Sequence, residues 1–226
     1  MKIVLDAGHG YQTPGKRSPN GMREFEFNRD VANYTKQMLL NYENVEIIFT
    51  HSDERDVPLT ERTDQANRLN VDIFISIHAN AYGSGGWNSV NGIETYVYTS
   101  RPKEAYEVAN VIHKNLIEKT GRTSRDVRAA NFHVLRETKM TAILCECGFM
   151  TNKEEAALLK TAVYRKSCAE AIVNGLVSYY RLMLKSVSNV TDLWMVQVGA
   201  FSKKENAEKC AAMLKEKGFD AFLYKK

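Results

Sequence analysis

Residues 72–80 read DIFISIHAN, and the first seven of them form the strongest apolar strand signal in the chain. A short run rich in isoleucine and phenylalanine is typical of a buried β-strand, here over residues 72–78. The run is followed by a Gly- and Ser-rich loop that extends to Gly92. A histidine, His78, therefore stands at the carboxyl end of a predicted interior strand.

Strand-like runs alternate with amphipathic segments on both sides of this stretch. We predict further strands over residues 2–6, 45–50, 93–99, 133–136 and 142–146, helices over 24–42, 59–69, 102–120, 152–159 and 163–185, and irregular chain over 124–131. This alternation predicts an α/β fold with a mostly parallel, twisted sheet of about six strands and helices on both faces. Ligands of such sheets collect beyond the carboxyl ends of the strands.

After residue 185 a short polar stretch is followed by a segment that alternates apolar and polar residues and then by an amphipathic segment. We predict a main domain over residues 1–185, a polar linker over 186–193 and a small β-α-β unit over 194–226. Its helix spans 203–217 and ends at Gly218, between strands over 194–201 and 219–224. A unit this small cannot bury a core alone, so it should pack on the main domain, pair with another copy or form half of a larger module.

Composition excludes several classes of protein. No stretch approaches the roughly 20 apolar residues that cross a bilayer, so we expect no integral membrane association. The net charge of +4 is mild, and basic runs with interleaved aromatics are absent, which argues against nucleic-acid binding. The amino terminus lacks the apolar region of a signal peptide, so we expect synthesis in the cytoplasm without one. The spacing of Cys145 and Cys147 permits metal or redox chemistry but favours small buried side chains.

Four titratable residues are predicted to converge at one edge of the sheet. His9, His78 and Glu146 each follow or end a predicted strand, and glycines on both sides of His9 allow a sharp turn there. Glu24 begins the first helix and can fold back over this edge from a 14-residue loop after His9. Two imidazoles and a carboxylate are a common catalytic zinc set, which makes His9, Glu24 and His78 the candidate Zn²⁺ ligands.

Glu146 is then the candidate general base and acid. A zinc ion lowers the pKa of its bound water to about 7, and a nearby carboxylate can move the proton to a leaving amine. Each residue also has a purely structural interpretation, such as a capped strand end or a favourable helix start for Glu24. Of the other histidines, His51 and His113 are predicted to lie at the surface, and His133 is the one rival ligand.

Four motifs resemble one known family: DAGHG (6–10), residues 21–24, SIHAN (76–80) and AILCECGF (142–149). Together with NFHVLR (131–136), they are similar in type, order and spacing to zinc-dependent N-acetylmuramoyl-L-alanine amidases of the amidase-3 type. The resemblance covers about residues 1–182. It implies hydrolysis of the amide between N-acetylmuramic acid and L-alanine in peptidoglycan, with zinc on His9, Glu24 and His78 and Glu146 as the catalytic residue.

The carboxyl-terminal segment, from WMVQVGAF (194–201) to Gly218 and Phe219, resembles about half of a SPOR-type peptidoglycan-binding repeat. Such repeats imply a cell-wall partner and action at the bacterial wall, as in mother-cell lytic amidases of spore formers and related phage endolysins. The unit could also serve only to stabilise or dimerise the chain. Two alternatives stay open for the main domain: a zinc peptidase acting on the stem peptide, or a non-enzymatic wall-binding protein.

Overall fold

The computed structural model describes residues 1–14, 17–185, 196–219, 221 and 223. Two compact units divide at residue 185. The first holds one six-stranded sheet in the order β2-β1-β3-β6-β4-β5. Its elements are β1 (Lys2–Ala7), α1 (Glu24–Leu39), β2 (Glu46–Phe49), α2 (Leu59–Leu69), β3 (Ile73–Asn80), β4 (Ile93–Val97), α3 (Lys103–Thr120), β5 (Ser124–Ala129), α4 (His133–Arg136), β6 (Thr141–Phe149), α5 (Lys153–Leu159) and α6 (Ala162–Tyr180).

The sheet is mostly parallel, as the alternation of elements predicts. Strands β2, β1, β3 and β6 run in one direction, and β4 joins β6 antiparallel with β5 parallel to β4. The carboxyl ends of β1, β3 and β6 therefore meet at one edge. This is the edge that the sequence predicts for the candidate site.

Helices cover both faces of the sheet. One face packs mainly against α1, α3 and α6 and forms the larger apolar cluster, with fully buried members such as Val31, Ile112 and Ile172. The other face carries a smaller cluster, in which Val4 and Phe74 of the sheet contact Ala66 of α2 and Leu135 of α4. The second face has the thinner cover because α4 spans only four residues.

The alternation of side chains along the strands brings the polar groups to that thinner face. On β3, Phe74, Ser76 and His78 share one face because side chains two apart point the same way. Asp6 of β1 lies opposite Ser76 in register, and Glu146 of β6 lies opposite His78. The face is therefore apolar in the middle of the sheet and polar towards the carboxyl ends of β1, β3 and β6.

Two predictions of secondary structure are wrong in the main domain. Residues 133–136, predicted as a strand, form helix α4, and its Val134 and Leu135 both reach the smaller apolar cluster. Residues 124–129, predicted as irregular, form the edge strand β5, with alternating exposed and half-buried residues. An edge strand has one hydrogen-bonding neighbour and tolerates a charged sequence such as SRDVRA, so the apolar signal is missing.

The described residues of the second unit form one helix, α7 (Lys204–Glu216). Gly218, at φ +84°, follows it, as predicted, and Phe219 N–H bonds back to the Leu214 carbonyl. Residues 196–201 form no strand, contrary to the predicted strand over 194–201. The linker and half of the last predicted strand, residues 220, 222 and 224, lie outside the described residues. Across the described part of the chain, no helix is long and apolar enough to span a membrane.

Candidate metal centre and acid–base site

The three predicted metal ligands meet in space. His78 Nδ1 lies 2.8 Å from Glu24 Oε1, and His9 Nε2 lies 3.3 Å from Glu24 Oε2. One ligand atom from each residue falls within 4.8 Å of the others, and among the described residues this is the group that could hold a metal ion. The imidazole rings stand edge to face with centroids 5.0 Å apart. Glu24 thus reaches the site from the first turn of α1, as the long preceding loop requires.

The donor set fits a small tetrahedral cation. Tetrahedral zinc with bonds of about 2.0–2.2 Å holds its ligand atoms roughly 3.4 Å apart, close to the spacing of His9 and Glu24. Both histidines are partly exposed, at 21% for His9 and 14% for His78, so a substrate can approach from one side. Two nitrogens and one carboxylate leave a position for an exchangeable ligand.

The electrostatics of Glu24 and His78 suit cation binding. Burial acts to raise the pKa of the Glu24 carboxyl, but hydrogen bonds from His78 and His9 hold that pKa well below its usual range. Burial acts to lower the pKa of His78, whereas the hydrogen bond and charge of Glu24 raise it. Glu24 is 3% exposed and also accepts the Ala79 backbone N–H and the Asn28 side-chain amide. An ionised carboxylate is therefore held facing two imidazoles.

The backbone of the His9 loop differs from the sequence prediction, which attributed the sharp turn to the glycines on both sides of His9. The left-handed residue is His9 itself, at φ 64°, rather than Gly8 or Gly10. Gly8 serves another purpose, because a Cβ on it would lie 2.0 Å from Cε1 of the His78 ring. Arg62 donates to the Ala7 and His9 carbonyls and so supports the strained turn from below. The glycine before His9 therefore leaves room for the ring of His78.

Glu146 lies beside the cluster. It pairs in register with His78 across β3 and β6, and strand neighbours stand about 4.8 Å apart. His9, Glu24, His78 and Glu146 line one cavity of about 320 Å³, which the loop over Gly83–Gly85 borders. The negative charge of Glu146 contributes to the raised pKa of His78. The structure therefore brings all four predicted site residues together.

A second acidic residue, which the sequence analysis did not identify, stands next to Glu146. Glu94 of β4 is its partner in register and is 3% exposed. Its two oxygens accept hydrogen bonds from Asn80 and Tyr96 on one side and from Arg125 on the other. Burial and the hydrogen bond to Glu94 raise the pKa of Tyr96 to about 12. The antiparallel pairing of β4 with β6 places Glu94 beside Glu146, and the chain order does not reveal that pairing.

The remaining histidines correct the prediction that His51 and His113 lie at the surface. His113 is 7% exposed and bonds Thr95 and Ser124 through its two ring nitrogens. His51 is half-buried, accepts the Ala7 backbone N–H, and burial lowers its pKa to about 4. His133, the rival ligand, lies 3.4 Å from Thr63 on α2 and outside the metal cluster.

The cysteines follow the structural interpretation. Cys145 and Cys147 are fully buried in the larger apolar cluster, and all four cysteines are free. Burial raises the pKa of the Cys145 thiol well above the usual value, which keeps it protonated. Cys147 also has the Cys168 thiol as a hydrogen-bonding neighbour, and this contact is the main cause of its raised pKa. These are packing residues of β6 and α6.

Comparison with known proteins identifies the family. A family model described as N-acetylmuramoyl-L-alanine amidase matches residues 3–178. The chain belongs to that family. A second model, the SPOR domain, matches residues 191–226. Members of the amidase family are hydrolases of peptidoglycan amides, and the main domain of this chain is such an enzyme.

Individual relatives agree with this assignment. The amidase CwlM of Bacillus licheniformis is 36% identical over 224 residues, covering 99% of this chain and 84% of that protein. The sporulation-specific amidase of Bacillus subtilis is 35% identical over 226 residues with the same coverage, and the endolysin of Bacillus phage SPP1 is 34% identical over 189 residues, 81% of this chain and 68% of that protein. The catalytic domain of CwlV from Bacillus (Paenibacillus) polymyxa superposes with a TM-score of 0.73 at 36% identity, covering 80% of this chain and 98% of that one.

Proposed function

We propose that this amidase cleaves the amide between N-acetylmuramic acid and L-alanine with a zinc ion bound by His9, Glu24 and His78. The observation that carries the proposal is the group of three ligand atoms within 4.8 Å, in one cavity with Glu146. A bound zinc ion would polarise the scissile carbonyl and lower the pKa of a water molecule bound to it. The family assignment supplies the substrate.

In this proposal Glu146 moves the proton. Its carboxylate accepts a proton from the attacking water and delivers it to the nitrogen of L-alanine as the carbon–nitrogen bond breaks. The position of Glu146, opposite His78 in register and on the same cavity, supports this role. His9, Glu24 and His78 line the same cavity as Glu146, so the scissile amide would bind in that cavity.

The proposal also assigns the parts of the chain. Residues 1–185 form the catalytic domain, 186–193 a linker and 194–226 a partial SPOR-type repeat that binds peptidoglycan. The match of the SPOR model to residues 191–226 supports a wall-binding role for the last segment. Self-association through this segment and synthesis without a signal peptide stay predictions.

Product analysis tests the reaction. Zinc-loaded full-length protein is incubated with purified cell wall, and new amino termini and new reducing sugar ends are both quantified. New L-alanine amino termini without new reducing ends are expected. Amino termini of a later stem residue would instead indicate the peptidase, and new reducing ends would indicate a glycosidase.

A single substitution tests the role of Glu146. Glu146→Gln keeps the shape and removes the base, so turnover should fall by about 10²–10⁴-fold while bound zinc stays at the wild-type level. Glu154→Gln, an exposed change at the start of α5, is the matched control and should cleave like wild type. Wild-type turnover by Glu146→Gln would show that another group moves the proton.

A further inference from the structure

A buried polar chain runs beneath the candidate metal centre. Asp6 is 1% exposed, and its Oδ1 accepts hydrogen bonds from Arg62 Nη1 at 2.7 Å and Thr50 Oγ1 at 2.8 Å. Its Oδ2 accepts the Ser76 hydroxyl at 2.6 Å. Ser76 Oγ in turn lies 3.1 Å from Nε2 of His78. The sequence motifs contain Asp6 and Ser76, but no role follows from the motifs themselves.

The direction of these hydrogen bonds follows from the donor inventory. Asp6 is paired with the guanidinium of Arg62 and, as a carboxylate, can only accept. The Ser76 hydroxyl proton therefore points to Asp6, which leaves a lone pair on Ser76 Oγ facing His78. The Nε2 atom of His78 must then carry a proton and donate it. Nδ1 donates to the Glu24 carboxylate in this structure, and a cation bound at Nδ1 would replace that proton, which leaves a neutral ring with its remaining proton on Nε2.

Nδ1 is the atom that faces the metal cluster, because it lies 2.8 Å from Glu24 Oε1. We propose that Asp6 and Ser76 form a positioning relay, which fixes the ring orientation and tautomer of His78 so that Nδ1 points to the metal. Histidine ligands of metals generally donate their second ring N–H to an oxygen acceptor, and loss of such partners weakens metal binding by about 10–100-fold. The relay rests on the proposed zinc assignment of His78.

Arg62 links this relay to the other histidine. It is 2% exposed and donates to Asp6, to the Ala7 carbonyl and to the His9 carbonyl. The same guanidinium thus holds the acceptor beneath His78 and the backbone turn that presents His9. Ser76 is the member of this network that touches His78 directly, so it is the position to test.

The chain offers a matched pair of substitutions. Ser76→Ala and Thr50→Ala each delete one hydroxyl donor to the same buried carboxylate, but only Ser76 also contacts His78. Zinc affinity is measured by competition with a chromophoric chelator, and thermal unfolding is followed in the metal-free proteins. We expect Ser76→Ala to weaken zinc binding about 10–100-fold and Thr50→Ala to stay within about threefold of wild type. Their unfolding midpoints should fall by similar amounts.

The wild-type protein gives an independent readout. In zinc-loaded protein labelled with ¹⁵N, two-bond proton–nitrogen correlations report which ring nitrogen of His78 carries the proton. We expect a protonated Nε2 whose proton exchanges slowly with solvent, and faster exchange in Ser76→Ala. A proton on Nδ1 with Nε2 on the metal would overturn the relay, as would equal zinc affinities of the two variants.

Failure of the relay is distinguishable from failure of the zinc assignment. If His78→Ala binds zinc like wild type, the ligand set is wrong and the relay falls with it. If His78→Ala loses zinc while Ser76→Ala and Thr50→Ala bind zinc with equal affinity, the ligand set stands and only the relay is refuted.

Discussion

Gly8→Ala is the substitution with the most sharply defined expected effect on the candidate metal centre. An added Cβ would lie 2.0 Å from Cε1, 2.2 Å from Nε2 and 2.6 Å from Nδ1 of His78. Carbon atoms in contact stand about 3.5 Å apart, so the ring or the strand must move by roughly 1.5 Å. Gly8 has no left-handed φ, so the effect comes from this contact alone.

A shift of that size would remove one of the three proposed metal ligands. Metal–ligand distances are held to within about 0.2 Å, so His78 displaced by roughly 1.5 Å no longer completes the set with His9 and Glu24. We expect zinc affinity to fall at least 10-fold and turnover on cell wall to fall by about 10²-fold. The cost to folding should be about 1–3 kcal/mol, the usual range for an overpacked site.

The assay combines chelator competition for zinc, wall-lysis rates at saturating zinc and denaturant unfolding of the metal-free protein. Gly86→Ala is the control, since a Cβ at Gly86 meets no atom within 4 Å and its φ is not left-handed. A Gly8→Ala protein that folds normally and binds zinc with wild-type affinity would refute the reasoning.

Three other outcomes are expected. His51→Gln should flatten the pH dependence of the unfolding free energy. The pKa of His51 is about 4 in the folded protein and about 6.5 in the unfolded chain, so the wild-type protein loses up to about 3 kcal/mol of stability as pH falls from 6.5 to 4. Denaturation of the metal-free protein at pH 4–7 measures this loss. An unchanged slope would contradict this. Arg62→Ala should lower the unfolding free energy by about 3–5 kcal/mol, because it leaves the buried charge of Asp6 without its partner. Adding Asp6→Asn to the Arg62→Ala protein should restore part of this stability. His78→Ala should lose zinc by elemental analysis and His133→Ala should keep it; the reverse result would exchange their roles.

Local sequence pattern is enough to predict the strands that carry the site. Apolar runs ending in His78 and Glu146, and one followed by His9, predict interior strands, and parallel strands bring their carboxyl ends together. The same reasoning placed Glu24 at a helix start. Local pattern sufficed for His9, His78 and Glu146 because each lies in or just after the carboxyl end of a strand that is buried on both faces.

Tertiary structure decided what the local pattern leaves open. The strand β5 is charged and lies at an edge, while Val134 and Leu135 of α4 pack on the sheet from outside, so their apolar content gave the wrong element type. The antiparallel insertion of β4, which places Glu94 beside Glu146, depends on which neighbour completes the sheet. The relay beneath His78 joins residues 70 positions apart. The sequence pattern predicts the candidate ligands, whereas the contacts that hold them in place depend on packing across the strands.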